Sequence, residues 1–329
     1  MRATRVRSYA GGVLLAEVVR SGFAESWHRG SVAVVDASGR LIRSAGDPYG
    51  PIFPRSSNKP MQAVAMLRSG LTLDDPADLA MVAASHSGEP MHLARVRAML
   101  ASGGVTENDL RCPPDLPLDP TARETVLRAG GDRSRLYMNC SGKHAGMLLT
   151  CRAAGWSIDD YLAADHPLQQ ACRSAVEELA GESVAAVGVD GCGAPVMAIS
   201  LAGLARAFAR AVSAPVGAPE RAVADAMRAH PDLVSGTDRE DLGLMRAVPG
   251  LLSKVGAEGV IAAAVPGLGA VALKIDDGDG RARMPVLVAA LRDLGLDGPA
   301  LAVLAESPVR GGGDIVGSVT PLAASLRTG

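Results

Sequence analysis

Apolar runs that read as strands stand at the two ends of this chain, with a long stretch of helical periodicity between them, and this separation limits the folds open to it. Near the start, Val13–Val19 and Ser31–Asp36 read as strands, the second turned through Ala37-Ser38-Gly39 into Arg40–Arg43 as a hairpin. Near the other end, Gly259–Val265 and Gly269–Ile275 read as two more, joined by a Pro-Gly-Leu-Gly connection. Between them the pattern predicts helices over roughly 58–180, broken at Cys112-Pro113-Pro114 and Gly130-Gly131. A buried strand over Val184–Val189 follows, then helices around 196–212 and 219–229. A last helix, 281–294, carries Met284, Val286, Leu287, Ala290 and Leu291 on its apolar side. Strands at both ends with helices between predict an α+β fold: one sheet closed by the two chain halves, with a helical lobe inserted in it. The expected organisation is a single unit over 1–329, its sheet part near 1–55 and 255–329 and its helical part near 56–254.

Composition narrows the function. The net charge is −2, and no basic run with interleaved aromatics offers a nucleic-acid surface. Aromatic residues make up only 3%, a poor supply for stacking on sugars or bases, so a small polar substrate is expected. The start, Met1-Arg2-Ala3-Thr4-Arg5-Val6-Arg7, is basic, but the apolar run after Gly12 breaks at Glu17, too short for a signal sequence. Nowhere do eighteen apolar residues run together, so the expectation is a cytoplasmic protein without a membrane span. Five cysteines at 112, 140, 151, 172 and 192 form an odd set that fits a reducing compartment and not a disulfide framework.

Ser56-Ser57-Asn58-Lys59 is the most chemical of the short motifs. Three residues along a helix bring a hydroxyl and an amine to one face, and a lysine whose pKa is lowered can take the serine's proton. Pro60 is tolerated only in a first turn, so Ser56 must stand at a helix start, where unpaired N–H groups point at developing negative charge. The plain alternative is a capping role for Ser56-Ser57-Asn58 ahead of the helix through Met61–Leu67. Ala84-Ser85-His86-Ser87-Gly88-Glu89 follows the apolar Leu79–Ala83 and offers a second serine. Lys274 interrupts an apolar strand ahead of Asp276-Asp277-Gly278, either as an edge residue reaching outward or as a buried functional amine. Cys140-Ser141-Gly142-Lys143-His144 and Asp190-Gly191-Cys192-Gly193 each put a cysteine in a small-residue turn, where the thiol is either simply buried or presented to a metal such as zinc.

Taken in order, Arg55–Lys59, Ala84–Glu89, Asn139-Cys140-Ser141-Gly142-Lys143-His144-Ala145-Gly146-Met147, Val189–Gly193 and Ala272-Leu273-Lys274-Ile275-Asp276-Asp277-Gly278 resemble the successive signatures of the rhizobial-type, class 3 L-asparaginases. The resemblance runs from Glu25-Ser26-Trp27-His28-Arg29-Gly30 to Gly278. It implies a fold like that of serine β-lactamases and some glutaminases, hydrolysis of L-asparagine to L-aspartate and ammonia, and a homodimer. It also implies Ser56 as nucleophile with Lys59 as base, Ser85 coupled to Lys274, and a zinc ion held by Cys140, Lys143 and Cys192 with a water. For the substrate's α-ammonium and α-carboxylate the expected partners are Asp190 and Arg55, with Glu89, Lys143 and His144 behind them.

Three other readings remain. A penicillin-recognising serine hydrolase also begins with Ser-x-x-Lys, yet the chain has no Ser-Asp-Asn, and Lys274-Ile275-Asp276 stands where Lys-Thr-Gly is expected. A glutaminase differs by one methylene of substrate, which apolar contacts discriminate poorly. A non-catalytic zinc or small-molecule binding protein needs only the cysteines and the cleft.

Overall fold

The computed structural model describes residues 8–322 and 327–328; the basic Met1–Arg7 segment lies outside the described residues. Its strands are β1 (Val13–Arg20), β2 (Phe23–Asp36), β3 (Leu41–Ala45), β4 (Pro51–Ile52), β5 (Ala186–Val189), β6 (Pro195–Ser200), β7 (Leu252–Val255), β8 (Val260–Val265), β9 (Gly269–Ile275), β10 (Pro308–Gly311), β11 (Asp314–Pro321) and β12 (Arg327–Thr328). Helices α1 (Lys59–Arg68), α2 (Pro76–Val82), α3 (Pro90–Ser102), α4 (Pro120–Arg128), α5 (Ser141–Ala154) and α6 (Pro167–Ala180) fill the middle. After β6 come α7 (Leu201–Ser213), α8 (Pro219–Ala229), α9 (Pro231–Val234) and α10 (Glu240–Ala247), and after β9 come α11 (Arg283–Arg292) and α12 (Pro299–Leu304). Proline sits in the first turn of α1, α2, α3, α4, α6 and α8, where its missing N–H costs nothing.

The molecule mixes helices with a large antiparallel sheet in the order β10-β11-β1-β2-β9-β8-β7, with β3 against β2 and β12 against β3. Two joints between distant parts of the chain close it: Val18 pairs with Val319, and Val32 with Leu273. The 14-residue β2 bends the sheet, because β1 runs along its first half and β3 along its second on one edge while β9 follows the other. The sequence pattern places only Ser31–Asp36 in a strand. The structure starts it at Phe23, since Phe23, Glu25, Trp27 and Arg29 face solvent and the apolar signal there is lost.

α7 packs on β2, β8 and β9, and α11 packs on β9 and β11. Side chains of a strand alternate between faces, yet all of β8 is buried and Lys274 is the only residue of β9 that is not, so helices cover both faces. Backbones approach closely at Gly30, where a Cβ would lie 2.1 Å from the Lys274 carbonyl oxygen.

One expected element changes type. Residues 196–200, expected to open a helix, form β6 between β4 and β5 in a second, three-stranded sheet. Ser200 ends the strand and caps α7, its Oγ accepting from the Gly203 N–H at 2.9 Å. The apolar run 196–199 suits either state, and only this capping serine divides strand from helix. Among the described residues, no helix is long and apolar enough to cross a membrane.

Candidate active site

Residues Arg55–Asn58 make one 3-10 turn that leads into α1, and β7 and β8 pack against it. Arg55 has φ +53°, a left-handed conformation that costs a non-glycine residue about 1–3 kcal/mol. Contacts hold it there: its Nε donates to Asp190 Oδ1 at 2.6 Å, and Glu258 lies 3.7 Å from the guanidinium. Ser56 is half-buried. Ser57 is buried, and its Oγ donates to the Lys254 carbonyl at 2.9 Å, which pins the turn to β7.

Lys59, 1% exposed, begins α1 with Pro60 behind it. Its Nζ donates to the Ala84 carbonyl and, at 2.9 Å, to Ser85 Oγ. Ser85 is held in turn by its N–H, which donates to the Val234 carbonyl at 2.9 Å, while the next N–H, of His86, reaches the Asn139 carbonyl at 3.1 Å. The segment 84–87 therefore ties the turn before α5 to the end of α9. Burial first, then the charges of His92 and Lys59, keep His86 neutral, and its Nε2 meets Ser141 Oγ at 2.8 Å.

Ser85 was expected to couple with Lys274; among the described residues its Oγ bonds to Lys59, and Lys274 makes its hydrogen bonds elsewhere. Lys274 is half-exposed on β9, and its Nζ donates to the carbonyls of Glu258 at 2.8 Å and Ile275 at 3.4 Å. Its pKa is lowered, chiefly by burial. The amine that the structure does bury beside the turn is Lys254 on β7, which the sequence reading passed over. Its Nζ lies 3.2 Å from Asp241 Oδ2 and donates to the Val255 carbonyl at 2.9 Å. Burial pushes its pKa down to about 8; Asp241 opposes the shift and the Lys59 charge adds to it. A signal was present, since Lys254-Val255-Gly256 is a Lys-x-Gly segment. It was hidden because β7 is only four residues long.

Cys140, Lys143 and Cys192 are all buried, and Lys143 Nζ lies 3.1 Å from Cys192 Sγ. A hydrogen bond from Cys140 and the Lys143 ammonium hold the Cys192 thiol far below its ordinary range, whereas Cys140 remains a thiol. Burial works against the Lys143 ammonium, but the thiolate beside it prevails and its pKa is raised. His144 Nδ1 meets Tyr161 Oη at 2.8 Å, and its Nε2 is buried without a hydrogen-bond partner. Two sulfurs and an amine in one buried place are a donor set that suits a soft cation. Among the described residues no trio of His, Cys, Asp and Glu is gathered for a metal, so such a site depends on the amine. Cys151 and Cys172 are ordinary buried thiols, pushed up by burial to about 11 and about 12.

Of the expected substrate partners, Arg55 and Asp190 are brought together, with each other. Glu89 stands apart from that pair, accepting from the Thr237 N–H at 2.9 Å and its Oγ1 at 3.2 Å at the start of α3. Ser57, Asp241 and Lys254 are the residues at this site that sequence reasoning did not find. Ser57 had been read only as a possible cap, and Asp241 carries no local motif.

The chain belongs to the L-asparaginase II family, whose model matches residues 16–321. Among solved structures it is similar to Mglu in its native form, at 15% identity and a TM-score of 0.42 over 80% of this chain and 63% of that one. It is also similar to Mglu in its native form in the presence of 4.3 M NaCl, at 15% identity and a TM-score of 0.44, over 82% of this chain and 62% of the other. The chain thus spans a little under two thirds of the length of these structures. Comparison with curated proteins finds no match.

Proposed function

We propose that the chain is an L-asparagine amidohydrolase of the class 3 type, which converts L-asparagine and water to L-aspartate and ammonia through an ester on Ser56. The observation that carries this reading is the buried Lys59, one turn from Ser56 and bonded at 2.9 Å to Ser85, with Lys254 as a second buried amine. Ser56 Oγ attacks the side-chain amide carbon, and its proton passes to the amines. Ser85, on the Lys59 ammonium, returns a proton to the departing nitrogen, so that ammonia leaves and not an amide anion. Water then opens the ester: the same amines take one of its protons and hand it to the departing Ser56 Oγ, which restores the serine and frees the aspartate side chain. Arg55 and Asp190, already an ion pair, can exchange each other for the substrate's α-carboxylate and α-ammonium. A β-lactamase-like ancestry for the fold and a homodimeric assembly belong to the same proposal.

Ammonia release from asparagine, glutamine and β-aspartyl dipeptides, measured beside nitrocefin hydrolysis, tests the substrate. Asparagine is expected to turn over fastest and nitrocefin not at all. Turnover of nitrocefin with asparagine untouched would transfer the site to the penicillin-recognising class.

The pH profile follows from Lys254. An ammonium cannot accept the serine proton, so kcat/KM should rise with pH through a midpoint near 8, the value to which burial brings this amine. A profile flat from about pH 6 to 10 contradicts control by amine deprotonation.

Zinc is the second part of the proposal. Cys140, Lys143 and Cys192 would hold it, and bound there the ion would place a fixed positive charge beside the pocket. Elemental analysis of protein purified without chelator is expected to find about one zinc per chain. Cys140→Ala and Cys192→Ala should each lose it; active wild-type protein free of transition metal would leave these side chains as a buried thiolate–ammonium pair.

A further inference from the structure

Asp241, in the first turn of α10, is 1% exposed and carries an unusual load. One oxygen, Oδ1, accepts from Ser253 Oγ at 2.7 Å; the other, Oδ2, lies 3.2 Å from Lys254 Nζ; both take the Val255 N–H, at 2.9 and 3.1 Å. These three consecutive residues belong to β7, the outermost strand at one end of the large sheet. The Val255 N–H points away from β8, to a side where no further strand arrives among the described residues, and the carboxylate takes the place of a neighbouring strand. On the other side of the Ser56 turn, the Ser57 hydroxyl holds the carbonyl of Lys254. β7 is therefore clamped at two points, by Asp241 through its N–H and side chains and by Ser57 through its carbonyl.

We propose that Asp241 is a positioning residue for the reaction: it fixes the edge strand and the Lys254 side chain against the Ser56–Ser57 turn, and so determines where the second amine stands. The inference rests on the reading of Lys254 given under the proposed function. A structural clamp needs only neutral hydrogen bonds, which Val255 and Ser253 already supply; the ammonium at 3.2 Å gives the carboxylate its further role.

The charged groups around the pair set the sign of its effect. Lys254 faces Asp241 on α10, Lys59 on α1 and Arg239 just before α10; its partner on β8, Ala262, brings no charge. Asp241 faces Lys254, Ser253 and the Val255 N–H, and its neighbour Glu240 is turned to Arg283 at 2.6 Å. Asp241 is the anion that raises the Lys254 pKa, against the cations Lys59 and Arg239. Removing its charge makes the ammonium harder to keep, so the amine loses its proton at lower pH.

The test is kcat/KM and kcat against pH for wild type, Lys254→Met, Asp241→Asn and Asp241→Glu, each checked for folding by thermal melting. Lys254→Met is expected to remove the rising limb. A limb that survives in it unchanged shows that the reading of Lys254 has failed, and the proposal with it. If the limb does vanish, Asp241→Asn should move it to lower pH by about one unit and lower the maximal kcat at least about tenfold. A limb that stays in place in folded Asp241→Asn overturns the proposal and leaves Asp241 a structural clamp. Asp241→Glu keeps the charge but displaces it by a methylene; the limb should remain within about half a unit of wild type while kcat falls about tenfold or more. That variant decides the matter if Asp241→Asn does not fold, because wild-type kcat in folded Asp241→Glu means that the exact placement of the carboxylate has no part in the reaction.

Discussion

Ser56→Ala is expected to lower asparagine turnover on the order of 10⁴-fold or more while leaving the fold unchanged. The hydroxyl is the only atom lost, and it comes from a half-buried side chain on a turn that is held by its neighbours, through Arg55 to Asp190 and Ser57 to Lys254. Lys59→Met should reach a similar residual rate for a different reason: it removes the amine that bonds Ser85. The double variant should be no slower than either single one, since members of one proton-transfer unit do not contribute independently. Steady-state ammonia release with a melting curve for each variant makes the comparison. A folded Ser56→Ala protein that still turns over near the wild-type rate would remove Ser56 from the mechanism.

Gly30→Val is expected to destabilise the protein by about 3 kcal/mol or more. A Cβ at this position would meet the Lys274 carbonyl oxygen at 2.1 Å and Leu15 Cδ1 at 2.9 Å. The leucine can rotate away, but the carbonyl belongs to the ladder in which Gly30 pairs with Ile275 and Ser31 with Lys274. Relief therefore requires β2 and β9 to separate at the joint between the two ends of the chain. Urea unfolding gives the measurement; a midpoint unchanged from wild type would mean that the ladder can open there at no cost.

The helical stretch is legible from its periodicity, but its division into helices is not: Pro60, Pro76, Pro90, Pro120, Pro167 and Pro219 each stand in a first turn, and only Pro60, beside the Ser-x-x-Lys motif, is read as such from the sequence. Strands covered on both faces, β8 and β9, were equally plain as continuous apolar runs. What escaped were strands with a wet face or little length: the first half of β2, the hairpin of β10 and β11, and β7. The site shows the same division. Ser56 with Lys59 and Cys140 with Lys143 lie within a few residues of each other, so each could be read locally as a candidate pair. Which lysine comes near them from a distant strand could not. Lys274 and Lys254 both interrupt apolar stretches, and only the pairing of β9 between β2 and β8, with β7 at the rim beside Ser57, separates a lysine that reaches backbone carbonyls at the surface from one enclosed with Asp241.

The joints of β1 with β11 and β2 with β9 also govern when this protein can become itself. During synthesis, β1 and β2 leave the ribosome with their hydrogen-bonding edges bare and must wait for some two hundred further residues before β8 and β9 arrive. The helical middle can condense in that interval, since α1, α2 and α3 find their partners α5, α6 and α8 within it, but the floor beneath Ser56 cannot form until β7 and β8 reach the turn. The arrival of β7 and β8, not the first collapse, thus sets the moment at which the Ser56 turn gains its support, and the waiting edges of β1 and β2 are where a nascent copy is most exposed to pairing with another.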